Sequence, residues 1–163
     1  MTGVITILYI TNVQGFTIKQ YGTFIAIQML TSILVYVPVG KLADRVGRKP
    51  FVMATFLSFA LFPLAIVTAS TFALIILAFV IGGLREIGEP SRKAMIVDLA
   101  QENARARSVG LYYLVRSLSI TPAALVGGLL WRIAPEVPFI VACVIGLIGT
   151  FVFAATVEEK YAS

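Results

Sequence analysis

The chain has 163 residues, 59% of them hydrophobic and 13% charged, with a formal net charge of +5. Soluble domains carry about 45–50% apolar and about 25% charged residues, so this composition excludes a water-covered surface and places the chain in a bilayer. Histidine is absent, which excludes a histidine general base or a zinc–histidine site within these residues.

The first apolar segment spans 1–13. It lacks the basic start and small-residue cleavage pattern of a signal peptide. It also covers only about 20 Å of a roughly 30 Å hydrocarbon layer. It therefore reads as a partial helix, as in a fragment or a late start. A polar turn from Gln14 to Gln20 leads into an uncharged segment at 21–39. Within it, Gln28, Ser32 and Tyr36 form an i, i+4, i+8 stripe, which lines a cavity or glues two helices together.

Charges and glycines then concentrate in Gly40-Lys41-Leu42-Ala43-Asp44-Arg45-Val46-Gly47-Arg48-Lys49-Pro50. No charge follows from Phe51 to Leu84. One helix that long would measure about 51 Å, so the run divides at Thr68-Ala69-Ser70-Thr71 into segments at 50–68 and 71–90. The second charged stretch extends from Arg85 to Arg107. Glu86 and Glu89 are spaced to share a helical face, and Arg85 and Glu89 are spaced to pair.

The fifth segment, 108–131, contains Arg116 and Pro122. Arg116 lies about 13 Å beyond Arg107 along the helix, near mid-membrane. A charge there faces a cavity or a partner. It is a counter-charge for an anionic substrate, a partner to a carboxylate in the missing half, or a salt bridge or carbonyl contact that locks helices. Tyr112 and Ser119 share its face. Trp131 reads as an interfacial anchor. The sixth segment spans 137–157 and holds no charge; with Cys143 alone, no internal disulfide is possible.

Lys41, Arg45, Arg48, Lys49, Arg85, Arg92, Lys93, Arg105, Arg107 and Lys160 fall on one side of this layout, and only Lys19 and Arg132 on the other. The excess predicts that both termini are cytoplasmic, in agreement with an even number of crossings. The same distribution explains the basic balance without nucleic acid. The expected fold class is all-α integral membrane: a six-helix bundle with its first helix truncated.

The stretch Gly40 to Lys49 resembles the loop signature of the major facilitator superfamily: a glycine, then Asp-Arg, then Gly-Arg-Lys, between the second and third helices of a six-helix half. The resemblance implies a cytoplasmic gate built from Gly40, Asp44, Arg45, Gly47, Arg48 and Lys49. Gly40 would allow close helix approach, Asp44 would accept from a neighbouring helix amino terminus, and Arg45 and Arg48 would reach carboxylates. A plain positive-inside loop is the alternative.

Gly82 to Lys93 is similar to the end of the fourth helix of such a half. Arg85, Glu86 and Glu89 would then be gate partners or part of a proton path, or charges held at the rim. Thr121-Pro122 with Gly127-Gly128 partly resembles a pattern of drug exporters, but Thr121 stands where that pattern has glycine. The short tail favours the carboxy-terminal half, with the amino-terminal half as the alternative.

The resemblance implies secondary transport of a small solute by alternating access, coupled to a proton or sodium gradient, in the plasma membrane. The missing other half or a second copy would complete the site. The cavity residues are then Gln28, Ser32, Tyr36, Tyr112, Arg116 and Ser119. No cofactor is implied, no enzyme chemistry is indicated, and no phosphate-binding loop supports ATP-driven pumping. The rival reading is a half-size membrane assembly protein that works as an oligomer without transporting.

Overall fold

The computed structural model describes residues 2–100 and 104–156, except for the side chains of Thr2, Asp44, Val46 and Leu99. Among the described residues all regular structure is helical. With no water available in hydrocarbon, each segment satisfies its backbone internally, and the ends need explicit partners.

Helix α1 (Thr2–Leu8) passes into a wider π-turn, Tyr9–Val13. Gly15 ends it at φ 75, where a side chain would be strained, and Phe16 N donates to Ile10 O at 3.0 Å. The Gln14 amide reaches across the bundle. Its Nε2 donates to Ile66 O at 2.9 Å and Ala69 O at 2.8 Å, capping carbonyls at the far end of helix α3 (Lys49–Thr68).

Helix α2 (Ile18–Val46) starts with a capping box: Thr17 N donates to Gln20 Oε1 and Gln20 N to Thr17 Oγ1. It outruns the 21–39 expected from apolar residues, because its last turns carry Lys41 and Arg45 on helical backbone. The charged signature is therefore mostly helix, and the turn proper is only Gly47-Arg48.

The expected single segment 71–90 is broken in two. Helix α4 (Phe72–Gly83) is capped by Thr71 and measures about 18 Å, too short to cross. A tight 3₁₀ turn, Leu84–Glu86, follows, and the chain resumes in helix α5 (Glu89–Leu99) with proline in its first turn. The freed Gly88 N–H donates to Thr55 Oγ1 of α3 at 2.6 Å. Helix α5 reads as a loop in sequence because Glu89, Arg92, Lys93 and Asp98 leave it no apolar run.

Helix α6 (Arg105–Trp131) contains Pro122, and helix α7 (Val137–Thr156) closes the described chain. Among the described residues, four stretches are long and apolar enough to cross a membrane: Ile18–Ala43, Lys49–Thr68, Arg105–Trp131 and Val137–Thr156.

Packing follows the small residues. Helices α3 and α7 form the most extensive pair, and α4 lies against α2 and α3. A Cβ on Gly146 of α7 would stand 2.9 Å from both Cα and Cβ of Ala60 in α3. At Gly83 of α4 it would stand 2.6 Å from Thr31 Cβ and 2.7 Å from Gln28 O. Between membrane helices, close van der Waals contact replaces the hydrophobic effect as the attraction. Towards the α1 end of the bundle, Phe24, Phe62 and Phe79 pack with Tyr9, Ile10 and Phe139 in one buried cluster. The Phe62 and Phe79 rings meet edge to face at 5.7 Å. Helices α2 and α6, by contrast, are hardly covered within the chain.

The α3–α7 contact gives a first expectation. Gly146→Val is predicted to destabilise the bundle by about 1–3 kcal/mol through overpacking. Gly149→Val, where nothing lies within 4 Å, is the control and leaves stability unchanged. Thermal unfolding of both variants in the same detergent checks this, and equal melting would contradict the packing.

Candidate functional site: a charged corner and a basic concavity

The α2–α3 corner is built around Gly47. Its φ of 104 and ψ of 158 lie in a region that only glycine adopts without strain. The turn sends two successive cations in different directions. Arg48 pairs with Asp98 near the end of α5. Lys49 Nζ donates to Ala154 O, 3.0 Å away in the last turn of α7, where the helix dipole favours a cation. The corner thereby ties α5 and α7 to the start of α3. Arg45 is exposed, and the side chain of Asp44 lies outside the described residues.

Among the described residues, nothing outside its own helix lies within 4 Å of a Cβ built at Gly40, and the close approaches lie at Gly82, Gly83, Gly88 and Gly146. One expectation is corrected: Arg85 and Glu89 do not pair. Arg85 Nε donates to Gly82 O at 2.8 Å, and its guanidinium carbon lies 4.9 Å from the Phe62 ring and 5.4 Å from the Phe59 ring. Glu89 instead pairs with Arg92 and, at 3.8 Å, with Lys93. The cause is the break at Leu84–Gly88, which removes the i, i+4 register and also separates Glu86 from the face of Glu89. Glu86 is exposed in the 3₁₀ turn.

Asp98, the acid that meets Arg48, was absent from the sequence-based site. The sequence carried no usable signal for it, because the helix that holds it reads as a loop; only once α5 is seen does an acid in its last turn, opposing the dipole, point to a specific cation.

The two polar stripes have different fates. Ser32 Oγ is placed to donate to Gly83 O at 3.0 Å or to Gln28 O at 3.1 Å, and Gln28 lies at the Gly82–Gly83 crossing. Both therefore sit where α2 meets α4, while Tyr36 is exposed. On α6, Ser108, Leu111, Tyr112, Val115 and Arg116 line a concavity of about 530 Å³. Ser119 lies farther along α6, its hydroxyl donating to Val115 O at 2.9 Å. Arg92 of α5, paired with Glu89, sits over the Tyr112 ring at 5.9 Å beside the concavity. None of Gln28, Ser32 and Tyr36 is among its lining residues.

Among the described residues, an all-helical bundle with several membrane-length apolar helices defines a multi-pass integral membrane protein. The Major Facilitator Superfamily model matches residues 1–163, and the chain belongs to that family, a family of transporters rather than enzymes. It is 32% identical over 114 residues to an uncharacterized MFS-type transporter of Methanocaldococcus jannaschii, covering 69% of the chain and 29% of that relative. It is 26% identical over 143 residues to the class C tetracycline resistance protein of Escherichia coli, covering 88% of the chain and 36% of the relative. An uncharacterized MFS-type transporter of Bacillus subtilis is 26% identical over 144 residues, covering 87% and 35%. The chain thus spans about a third of the length of these relatives.

The corner geometry sets two expectations. Gly47→Ala is predicted to cost about 1–3 kcal/mol, the strain of placing a side chain in a glycine-only conformation, measured as a lowered melting temperature. The Arg48–Asp98 pair is partly exposed, so a double-mutant cycle is expected to yield a coupling below about 1 kcal/mol that shrinks with added salt. A large, salt-insensitive coupling would contradict that assignment.

Proposed function

We propose that the chain forms one wall of a secondary transporter that moves a small solute by alternating access. The observation that carries this reading is Arg116. It is half-buried on α6, on a helix hardly covered by its own chain, and has no hydrogen-bond or ion-pair partner among the described residues. An unpaired guanidinium at membrane depth is too costly to leave against lipid. That face of α6 therefore meets water or a second wall, and a transporter provides both in turn. The second wall comes from the other half of the protein or a second copy.

Family membership supports the same reading, and so do the relatives, which include tetracycline resistance proteins and MFS-type transporters. The basic excess at the α2–α3 corner and around α5 supports cytoplasmic termini in a plasma membrane. The coupling ion is a proton or sodium. Gly40, Asp44, Arg45, Gly47, Arg48 and Lys49 form the cytoplasmic gate, with Asp98 added and with Arg85, Glu86 and Glu89 flanking it. The corner links three helices through groups that separate without unfolding any of them, as a gate requires.

The test places a single cysteine at Ser119 in full-length protein, with Cys143 replaced by serine. Membrane-impermeant maleimide is expected to label it from both faces, in proportions that Asp44→Asn shifts towards one face while expression is unchanged. Labelling confined to one face in both proteins would rule out alternating access at this position.

A further inference from the structure

The concavity on α6 is specific in its chemistry. Ser108, Tyr112 and Arg116 recur along one side of the helix, and Leu111 and Val115 interleave with them at the same helical spacing. Three properties restrict an occupant. The first is charge: Arg116 has no partner among the described residues, whereas Arg92, over the Tyr112 ring, is already paired with Glu89. The second is shape. A guanidinium offers a planar fork that matches a carboxylate or similar oxyanion, and Ser108 and Tyr112 supply hydroxyl donors on the same side. The third is apolar surface: Leu111 and Val115 present aliphatic groups beside the charge. The concavity is open, with all five lining residues on one face of α6, so a second wall has to close it over an occupant.

We propose that this concavity binds an organic anion with an apolar body, its anionic head on Arg116 and its body along Leu111 and Val115. The inference rests on reading the chain as a transporter wall, and it names the substrate class of that wall. A hydrophilic inorganic anion leaves Leu111 and Val115 without a partner. A cation meets Arg116 with repulsion. An uncharged solute leaves the guanidinium unpaired in a low-dielectric site.

The experiment uses full-length protein in nanodiscs of zwitterionic lipid, with naphthoate as the probe and neutral naphthamide as a control of the same shape. Equilibrium dialysis against empty nanodiscs removes simple partitioning. Wild type is expected to bind naphthoate roughly tenfold or more tightly than naphthamide, the scale of a charge-assisted contact. Arg116→Lys retains part of this preference, and Arg116→Gln abolishes it. Equal binding of the two probes by wild type, which requires no variant to fold, overturns the inference. So does a preference that survives Arg116→Gln.

Repeating the wild-type titration with phosphatidylglycerol in the disc separates the sources of the anion. Displacement of naphthoate identifies a lipid headgroup, and unchanged binding identifies a free solute. A charge-blind site in a protein whose Ser119→Cys label still alternates overturns the anion assignment alone. A charge-selective site in a protein labelled from one face only overturns the transport reading alone.

Discussion

Hydrocarbon offers a peptide group nothing to bond with, and several described helix ends and the break after α4 bear the mark of that constraint. Thr17 and Thr71 close the starts of α2 and α4. Gln14 crosses from the end of the first segment to the carbonyls of Ile66 and Ala69, which α3 would otherwise leave open. Where α4 stops short, the amide of Gly88 is taken up by Thr55. These contacts join elements distant in sequence, so meeting the backbone's demands also assembles the bundle.

Small residues complete that assembly. Apolar side chains gain little by leaving lipid for one another, so association depends on how closely backbones approach. Gly83 against Thr31 and Gln28, and Gly146 against Ala60, mark the places where α2 meets α4 and α3 meets α7. The uncovered faces of α2 and α6 lack such contacts within the chain. The α2–α3 corner adds charged contacts to this packing, since Arg48 reaches α5 while Lys49 reaches the end of α7.

The membrane class, the all-helical fold and the family were legible without coordinates. Low charge, long apolar runs and the Gly40–Lys49 signature are properties of local sequence, and the family match and the helical architecture agree with them. Arg116 was legible for the same reason: one charge in an apolar run is conspicuous. Helix α5 was not legible, because a short, charged helix has no apolar run to announce it. The partner of Arg48 was hidden with it.

The amino-acid order by itself determined which segments avoid water, where charges gather, and which family the chain joins, since each depends on residues adjacent along the chain. Only the tertiary structure decided that Asp98, not Glu86 or Glu89, meets Arg48. It also decided that Arg85 folds back onto Gly82 and its aromatic neighbours, and that Ser32 serves a helix crossing while Tyr112 and Arg116 share a concavity. Those outcomes depend on one break in a helix and on which glycine lets a neighbour approach. Both are set by contacts between residues far apart in sequence, such as Gly88 with Thr55 and Gly146 with Ala60, beyond the reach of any local pattern.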